Sequence, residues 1–109
     1  MDFTPTAIYC QTPDANINEI VVQEKDLKKY TNAVACTKVI PYVDNGVSWP
    51  DGEQTAYAQL EKDIAGGRVR RVVVFSQQQL GRNKEEALQR AKWMKEHSVE
   101  LVLIHNKPW

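Results

Sequence analysis

The chain has little of what marks a secreted or membrane-spanning protein. It holds two cysteines in 109 residues, and without a secretory context we predict that both are free thiols rather than a disulfide. Its longest apolar run, residues 72–75, is far shorter than the roughly 20 residues of a membrane-spanning helix. The first residues lack the basic-then-apolar pattern of a signal peptide. We therefore expect a cytoplasmic protein with no membrane contact.

An excess of charge of either sign is also absent. Fourteen basic and fourteen acidic residues give a formal net charge of zero, so no overall field draws the chain toward a polyanion, and we expect only weak DNA binding. His97 and His105 are not spaced with cysteines or carboxylates in a metal-ligand pattern. We predict no metal site and no cofactor.

The composition is that of one globular domain covering residues 1–109, with 42% hydrophobic and 26% charged residues. Apolar or β-branched runs alternate with helix-like segments. The predicted order is a strand at 7–10, a helix at 16–30, a strand at 34–43, a helix at about 55–65, a strand at 71–75, a helix at 84–97 and a strand at 99–104. This alternation predicts an α/β fold with three layers, in which a four-stranded, mainly parallel sheet carries helices on both faces.

Two helices have recognisable apolar faces. The first is predicted to start after an Asn16 cap and to bury Ile17, Ile20, Val21 and Leu27, and the last to bury Ala87, Leu88, Ala91 and Met94. In a parallel α/β sheet, ligands and chemistry collect beyond the carboxyl ends of the strands. Those ends are residues 11–14, 44–48, 76–82 and 105–107.

Four motifs occur in order along the chain. Residues 76–83, Ser-Gln-Gln-Gln-Leu-Gly-Arg-Asn, follow an apolar strand and resemble the Asp-Arg-Leu-Gly-Arg-Asn signature of serine recombinases. Residues 44–48 are similar to that family's Asp-x-Gly-x-Ser, and residues 63–67 to its Asp-Ile-x-x-Gly helix ending. Gln23 and Leu27 match a Gln-x-x-x-Leu in its first helix. The chain thus resembles the catalytic domain of resolvase/invertase-type serine recombinases from residue 7 to 104, which implies a resolvase-like fold.

The resemblance also implies a reaction, and the chain departs from it where the chemistry occurs. The family attacks a DNA phosphodiester with a serine hydroxyl and surrounds the phosphate with arginines. Its first strand reads Tyr-x-Arg-x-Ser, whereas this chain reads Tyr-Cys-Gln-Thr-Pro over residues 9–13. Pro13 therefore stands at the nucleophile position and has no hydroxyl.

The family's arginine set is depleted as well. Gln11 and Gln54 stand at arginine positions, and Gln78 and Gln79 replace the Asp-Arg pair after the third strand. The retained family residues are Arg82 and Ser48. Because each lost transition-state donor costs about 3–4 kcal/mol, we predict that the domain is catalytically inactive. Thr12 is the one substitute nucleophile, and strand alternation turns it away from the family serine's side.

Three functions follow from this interpretation. The first is a catalytically inactive serine-recombinase-like domain that acts through protein contacts, with a recombinase or another protein, in a mobile-element or DNA-recombination setting. The second is an active site-specific recombinase or DNA invertase fragment. The third is a small phosphate- or ligand-binding α/β domain with Arg82 as its cation. The substitution of arginine by glutamine is read either as selected or as decay of the gene.

The family continues beyond its fourth strand into a long dimerisation helix and a DNA-binding domain, and we expect this chain to lack both. A monomer or weak dimer is then predicted, with Trp93 or Trp109 as anchors of any protein contact. Arg68, Arg70 and Arg71 precede the third strand and are predicted to form a solvated rim.

Overall fold

Four parallel strands alternate with three α-helices in the computed structural model, which describes residues 2–12, 15–46, 55–81 and 83–105. The elements are β1 (Thr6–Thr12), α1 (Ile17–Ala33), β2 (Val39–Asn45), α2 (Thr55–Ala65), β3 (Arg71–Val74), a short 3-10 turn (Gln77–Gln79), α3 (Lys84–Glu96) and β4 (Glu100–Leu103). The sheet order is β2-β1-β3-β4, and each neighbouring pair is parallel. The predicted α/β fold is confirmed, and all four carboxyl ends lie at one edge of the sheet.

The helices divide between the two faces of the sheet. Alternation along β1 sends Ala7 and Tyr9 into the larger core beneath α2 and α3, and Ile8 and Cys10 into a smaller core beneath α1. The smaller core has five buried members: Ile8, Cys10, Ile20, Leu27 and Val73. None of the described helices is long and apolar enough to cross a membrane.

The predicted apolar face of α1 is partly wrong. The helix begins after Asn16, whose side chain accepts the Glu19 amide as expected. It buries Ile20, Gln23, Leu27 and Thr31, whereas Ile17 and Val21 are 64% and 56% exposed. Since successive helical residues turn by about 100°, Val21 points well away from its buried neighbour Ile20. The same rotation leaves Leu88 exposed beside buried Ala87 in α3.

The second strand starts later than predicted, at Val39 instead of residue 34. Helix α1 runs on to Ala33, because the Val34 amide still bonds to the Tyr30 carbonyl. Ala35 then adopts a left-handed conformation with φ of 57°, which ends the helix. The β-branched residues in this stretch favour a strand by composition, but they lie in the turn that follows the helix.

Candidate functional site at the carboxyl ends of the strands

The end of β1 is joined to α1 by a two-point amide contact. β1 pairs with β3 only as far as Tyr9, so the backbone of Gln11 has no strand partner on that side. Buried Gln23 takes the place of one: its Oε1 accepts the Gln11 N–H at 3.1 Å, and its Nε2 donates to the Gln11 carbonyl at 3.0 Å. Gln23 therefore supports the strand end.

The side chain of Gln11 is only 3% exposed, and its Nε2 has no hydrogen-bond partner among the described residues. Alternation places this side chain on the same face of the sheet as Tyr9. A buried neutral amide offers one or two donors, but it cannot offset the charge of a phosphate as a guanidinium does. The position that the sequence comparison predicts to be an arginine in the family thus holds an uncharged group.

Thr12 has its hydroxyl committed to the loop after β2. Its Oγ1 donates to Asn45 Oδ1 at 2.8 Å and accepts the Gly46 N–H at 3.1 Å. The same Asn45 oxygen accepts the Asn16 amide at 2.8 Å, and Thr12 is fully buried. These bonds stabilise the junction of β1, β2 and α1, and they leave the Thr12 hydroxyl buried and bonded.

Asp44, at the end of β2, binds the first turn of α2. One carboxylate oxygen accepts the Tyr9 hydroxyl at 2.7 Å and the Tyr57 amide at 3.0 Å, and the other accepts the Ala56 amide at 2.9 Å. Amides in the first turn of a helix lack intrahelical partners, and a carboxylate there stabilises the helix dipole. The first residue of the Asp-x-Gly motif therefore has a structural role.

The 3-10 turn after β3 is closed by Gln79. Its Oε1 accepts the Ser76 N–H at 2.9 Å and the Ser76 hydroxyl at 2.6 Å. Gln79 is buried, whereas Gln78 is exposed. The side chain of Gln79, at a position predicted to match a family arginine, is therefore turned back onto its own loop. A tilted stack between Phe75 and His105 links the same loop to the end of β4.

A cleft of about 210 Å³ lies between the start of α1 and this turn. Its described lining combines one carboxylate with amide, hydroxyl and apolar groups and contains no cation: Glu19, Val22, Gln23, Phe75, Ser76, Gln78 and Gln79. Among the described residues of this cleft, a phosphate would meet the Glu19 carboxylate and no positive charge. Within the described ranges, no group of three or more potential metal ligands is found either.

The intact Leu-Gly-x-Asn tail of the recombinase signature has packing and capping roles. Leu80 is buried in the larger core. A Cβ on Gly81 would stand 2.9 Å from the Ala87 backbone nitrogen, so the loop approaches α3 too closely for a side chain. Asn83 caps α3 by accepting the Glu86 amide at 2.8 Å. These three residues hold the loop against α3.

Arg90 is a cation near the site that the sequence analysis missed. Its guanidinium lies 4.1 Å from the Tyr57 ring centroid, and it donates to the Leu80 carbonyl at 2.7 Å. Burial raises the pKa of the Tyr57 hydroxyl, and the positive charge of Arg90 partly offsets this effect. Arg90 lies on the stripe of α3 that also holds the buried residues Ala87 and Met94. A charged residue at such a position in the sequence indicates a cation that packs against the core.

The predicted basic rim lies at the opposite end of the sheet, as expected from its place before β3. For Arg71 the prediction of a solvated side chain is wrong. This side chain is 12% exposed and forms ion pairs with Asp2 at 2.7 Å and Glu100 at 3.2 Å. Arg68 remains exposed and pairs with Asp63 at 3.0 Å.

Several predicted residues lie outside the described ranges: Pro13, Ser48, Gln54, Arg82 and Trp109. Trp93 is partly buried against the larger core, and its ring centroid lies 4.0 Å from that of His97.

Burial raises the pKa of the Cys10 thiol to about 12, so Cys10 is not a reactive nucleophile.

The fold is that of serine recombinase catalytic domains in several solved structures. The N-terminal catalytic domain of TP901-1 integrase superposes with a TM-score of 0.82 at 24% identity, over 93% of this chain and 78% of that one. A resolvase family site-specific recombinase from Streptococcus pneumoniae gives 0.79 at 19% identity, over 93% and 72%. A serine recombinase from Sulfolobus solfataricus gives 0.70 at 22% identity, over 97% and 71%. At these identities the likeness shows the fold alone.

Family membership is shown by sequence. The model of the resolvase N-terminal domain matches residues 7–108, nearly the whole chain. The chain belongs to the resolvase N-terminal domain family. Among curated proteins, no relative matches the chain significantly.

Proposed function

We propose that this chain is a catalytically inactive serine-recombinase-like domain that acts through protein contacts. Its partner is a recombinase or another protein of a DNA-recombination or mobile-element system. The chain itself is a monomer or a weak dimer, which sedimentation equilibrium at micromolar concentration tests. The domain keeps the packing of the family's fold and has lost the family's chemistry.

The observation that carries this proposal is the arrangement of the glutamines. Gln79, at an arginine position, has its side-chain oxygen bonded twice to Ser76. Gln11, at another, is buried and uncharged. Charge that develops on phosphoryl oxygens must be met by preorganised cations, and each missing donor costs about 3–4 kcal/mol.

The residues at and beside the predicted nucleophile position support the same conclusion. Pro13 has no hydroxyl, and the neighbouring Thr12 hydroxyl is buried and bonded to Asn45 and Gly46. To attack phosphorus, Thr12 would have to break both bonds and leave its side of the sheet. Proton removal from a threonine also requires a base, and no described histidine or carboxylate is bonded to Thr12.

The test is a search for covalent protein–DNA adducts. The chain is incubated with labelled supercoiled DNA, denatured and separated by electrophoresis. We expect no protein to migrate with the DNA. An adduct that survives denaturation would contradict the proposal.

Two variants sharpen this test. Thr12→Ala identifies the nucleophile if an adduct is seen with the unmodified chain. A combined variant, Gln11→Arg with Pro13→Ser, Gln54→Arg and Gln79→Arg, restores the family's serine and these three arginines and serves as the positive comparison, provided its circular dichroism spectrum matches that of the parent. Adducts at equal yield from the parent and this variant would mean that the substituted residues are not needed.

A further inference from the structure

The outer face of α1 combines exposed aliphatic side chains with lysines. Ile17, Val21 and Val22 are all more than half exposed. A shallow groove of about 620 Å³ runs along this face and is lined by Val21, Glu24, Lys25, Lys28, Lys29 and Asn32. Neither the sheet nor α2 and α3 use this side of α1, which buries its opposite stripe. The groove differs in charge from the carboxyl-end cleft: three lysines line the groove, whereas no described lysine or arginine lines the cleft.

The charge of this face is positive. Lys28 forms an ion pair with Glu24 at 2.6 Å, whereas Lys25 and Lys29 have no ion pair with a described carboxylate. Asp26 lies on the flank of α1 that faces β4, where its carboxylate is 3.9 Å from His105 and where Lys29, which borders both surfaces, also lines a cleft. The groove therefore carries three ammonium groups and one carboxylate, and its excess positive charge is exposed.

We propose that this face of α1 docks an acidic amphipathic helix of a partner protein. This docking rests on the proposed function and names the surface that performs it. The partner places apolar side chains on Ile17 and Val21 and carboxylates on Lys25 and Lys29. Of the two anchors expected from sequence, Trp93 is partly buried against the core and Trp109 lies outside the described residues, so the exposed aliphatic residues of α1 are proposed as the contact instead.

The spacing along α1 fits a helix as the occupant. Ile17, Val21, Lys25, Lys28 and Asn32 recur at intervals of four, four, three and four residues and form one continuous stripe. The stripe spans about 22 Å at 1.5 Å per residue, which a partner helix of about 15 residues covers. Its apolar end is the start of α1 and its basic end the second half.

The orientation follows from helix dipoles. Carboxylates are favourable in the first turns of a helix, near its positive end. A partner that carries its acidic residues there must place its N-terminus beside the lysines in the second half of α1. The two helices then run antiparallel, and their dipoles attract.

Other occupants fit less well. A second copy in a parallel twofold arrangement would set lysines against lysines, and an antiparallel one would set lysines against Ile17 and Val21. A nucleic acid would gain nothing from three exposed aliphatic residues and would meet the Glu24 carboxylate. An acidic amphipathic helix satisfies both the apolar and the basic half.

The experiment titrates the full chain into a fluorescein-labelled synthetic helix of about 15 residues, with glutamates in its first two turns and leucines at four-residue spacing in the rest. Fluorescence anisotropy is expected to report micromolar affinity. Lys25→Glu with Lys29→Glu should weaken binding about tenfold or more, and Val21→Asp by a similar factor. The matched control, Lys62→Glu with Lys92→Glu on the other two helices, should leave the affinity unchanged.

Besides failure of the peptide to bind, three results would overturn the docking proposal. They are equal binding of a peptide with the same composition in scrambled order, equal loss in the control variant, and loss of duplex DNA binding in the Lys25/Lys29 variant without loss of peptide binding. If no adduct forms with DNA and the peptide fails to bind, the docking surface is wrong while the proposed inactivity stands. An adduct together with peptide binding would overturn the proposed inactivity alone.

Discussion

The two ends of the sheet differ in how they use charge. At the amino ends, Arg71 lies between Asp2 and Glu100. At the carboxyl ends, where ligands and chemistry collect in parallel α/β sheets, the described polar groups are mainly amides and hydroxyls, and the Asp44 carboxylate binds the first amides of α2. The guanidinium of Arg71 in β3 is thus neutralised by two carboxylates at the amino end of the sheet, where no reaction is expected.

This contrast separates a folded scaffold from a working phosphate site. The amino-end ion pairs join the N-terminus, β3 and β4, so they stabilise the domain. At the carboxyl ends, the Gln23 and Gln79 side chains bind backbone amides of Gln11 and Ser76. Being neutral, these amides do not supply the positive charge that would balance a phosphate. The described residues therefore keep the family's fold, while the arginine positions that the sequence comparison assigns to Gln11 and Gln79 carry uncharged amides.

Replacing Asp44 tests with the largest expected effect whether the carboxyl-end carboxylate is structural. Asp44→Ala removes the acceptor of the Tyr9 hydroxyl and of two amides at the start of α2. We expect the free energy of unfolding to fall by about 3 kcal/mol, measured by urea denaturation. Asp44→Asn keeps one acceptor oxygen and should cost less. Equal stability of Asp44→Ala and the parent would contradict this role.

The packing role of the recombinase-like tail is tested at Gly81. A Cβ there meets the Ala87 backbone nitrogen at 2.9 Å, and we expect Gly81→Ala to destabilise the domain by about 1–3 kcal/mol. The matched control is Gly66→Ala, whose Cβ meets only the movable end of the Arg68 side chain. If thermal denaturation shows the two variants to be equally stable, the tail is not held by packing against α3.

The smallest effect is expected at the amino end, at low pH. Hydrogen bonds from Thr4, and then Arg71, lower the pKa of Asp2 from 3.8 to about 2. Because the folded pKa is depressed, its stabilisation is complete above pH 3.8 and is lost as the pH falls toward 2. Asp2→Asn should flatten this part of the curve of melting temperature against pH. An unchanged acid slope in the variant would show that Asp2 does not contribute.

Much of the fold could be predicted from the sequence, because uninterrupted apolar strands and glycine stops alternate clearly. The run at 72–74 became β3, and Asn16 became a helix cap. The exposed face of α1 could not be predicted, since Ile17 and Val21 have the same hydrophobicity as buried residues, and only the sheet decides which stripe is covered. The Gln79 side chain bonds to Ser76 because residues 77–79 form a 3-10 turn, and a run of glutamines does not predict such a turn.

The site was predictable in location and not in detail. The carboxyl ends of the strands follow from the fold class alone. The unpartnered amide of Gln11, the Thr12–Asn45 bond and the position of Arg90 depend on contacts between distant segments. Spacing along a chain carries no information about such contacts.

Loss of phosphate binding at the carboxyl ends is tested most directly by adding a DNA duplex to the isotope-labelled chain and following the backbone amide signals of Gln11, Gln23, Ser76 and Gln79 by NMR. We predict that these signals do not shift at physiological salt, because the carboxyl ends hold no free cation among the described residues and binding is no tighter than about 10⁻⁴ M. Saturating shifts at these four residues, with a Kd below about 10⁻⁶ M, would contradict it.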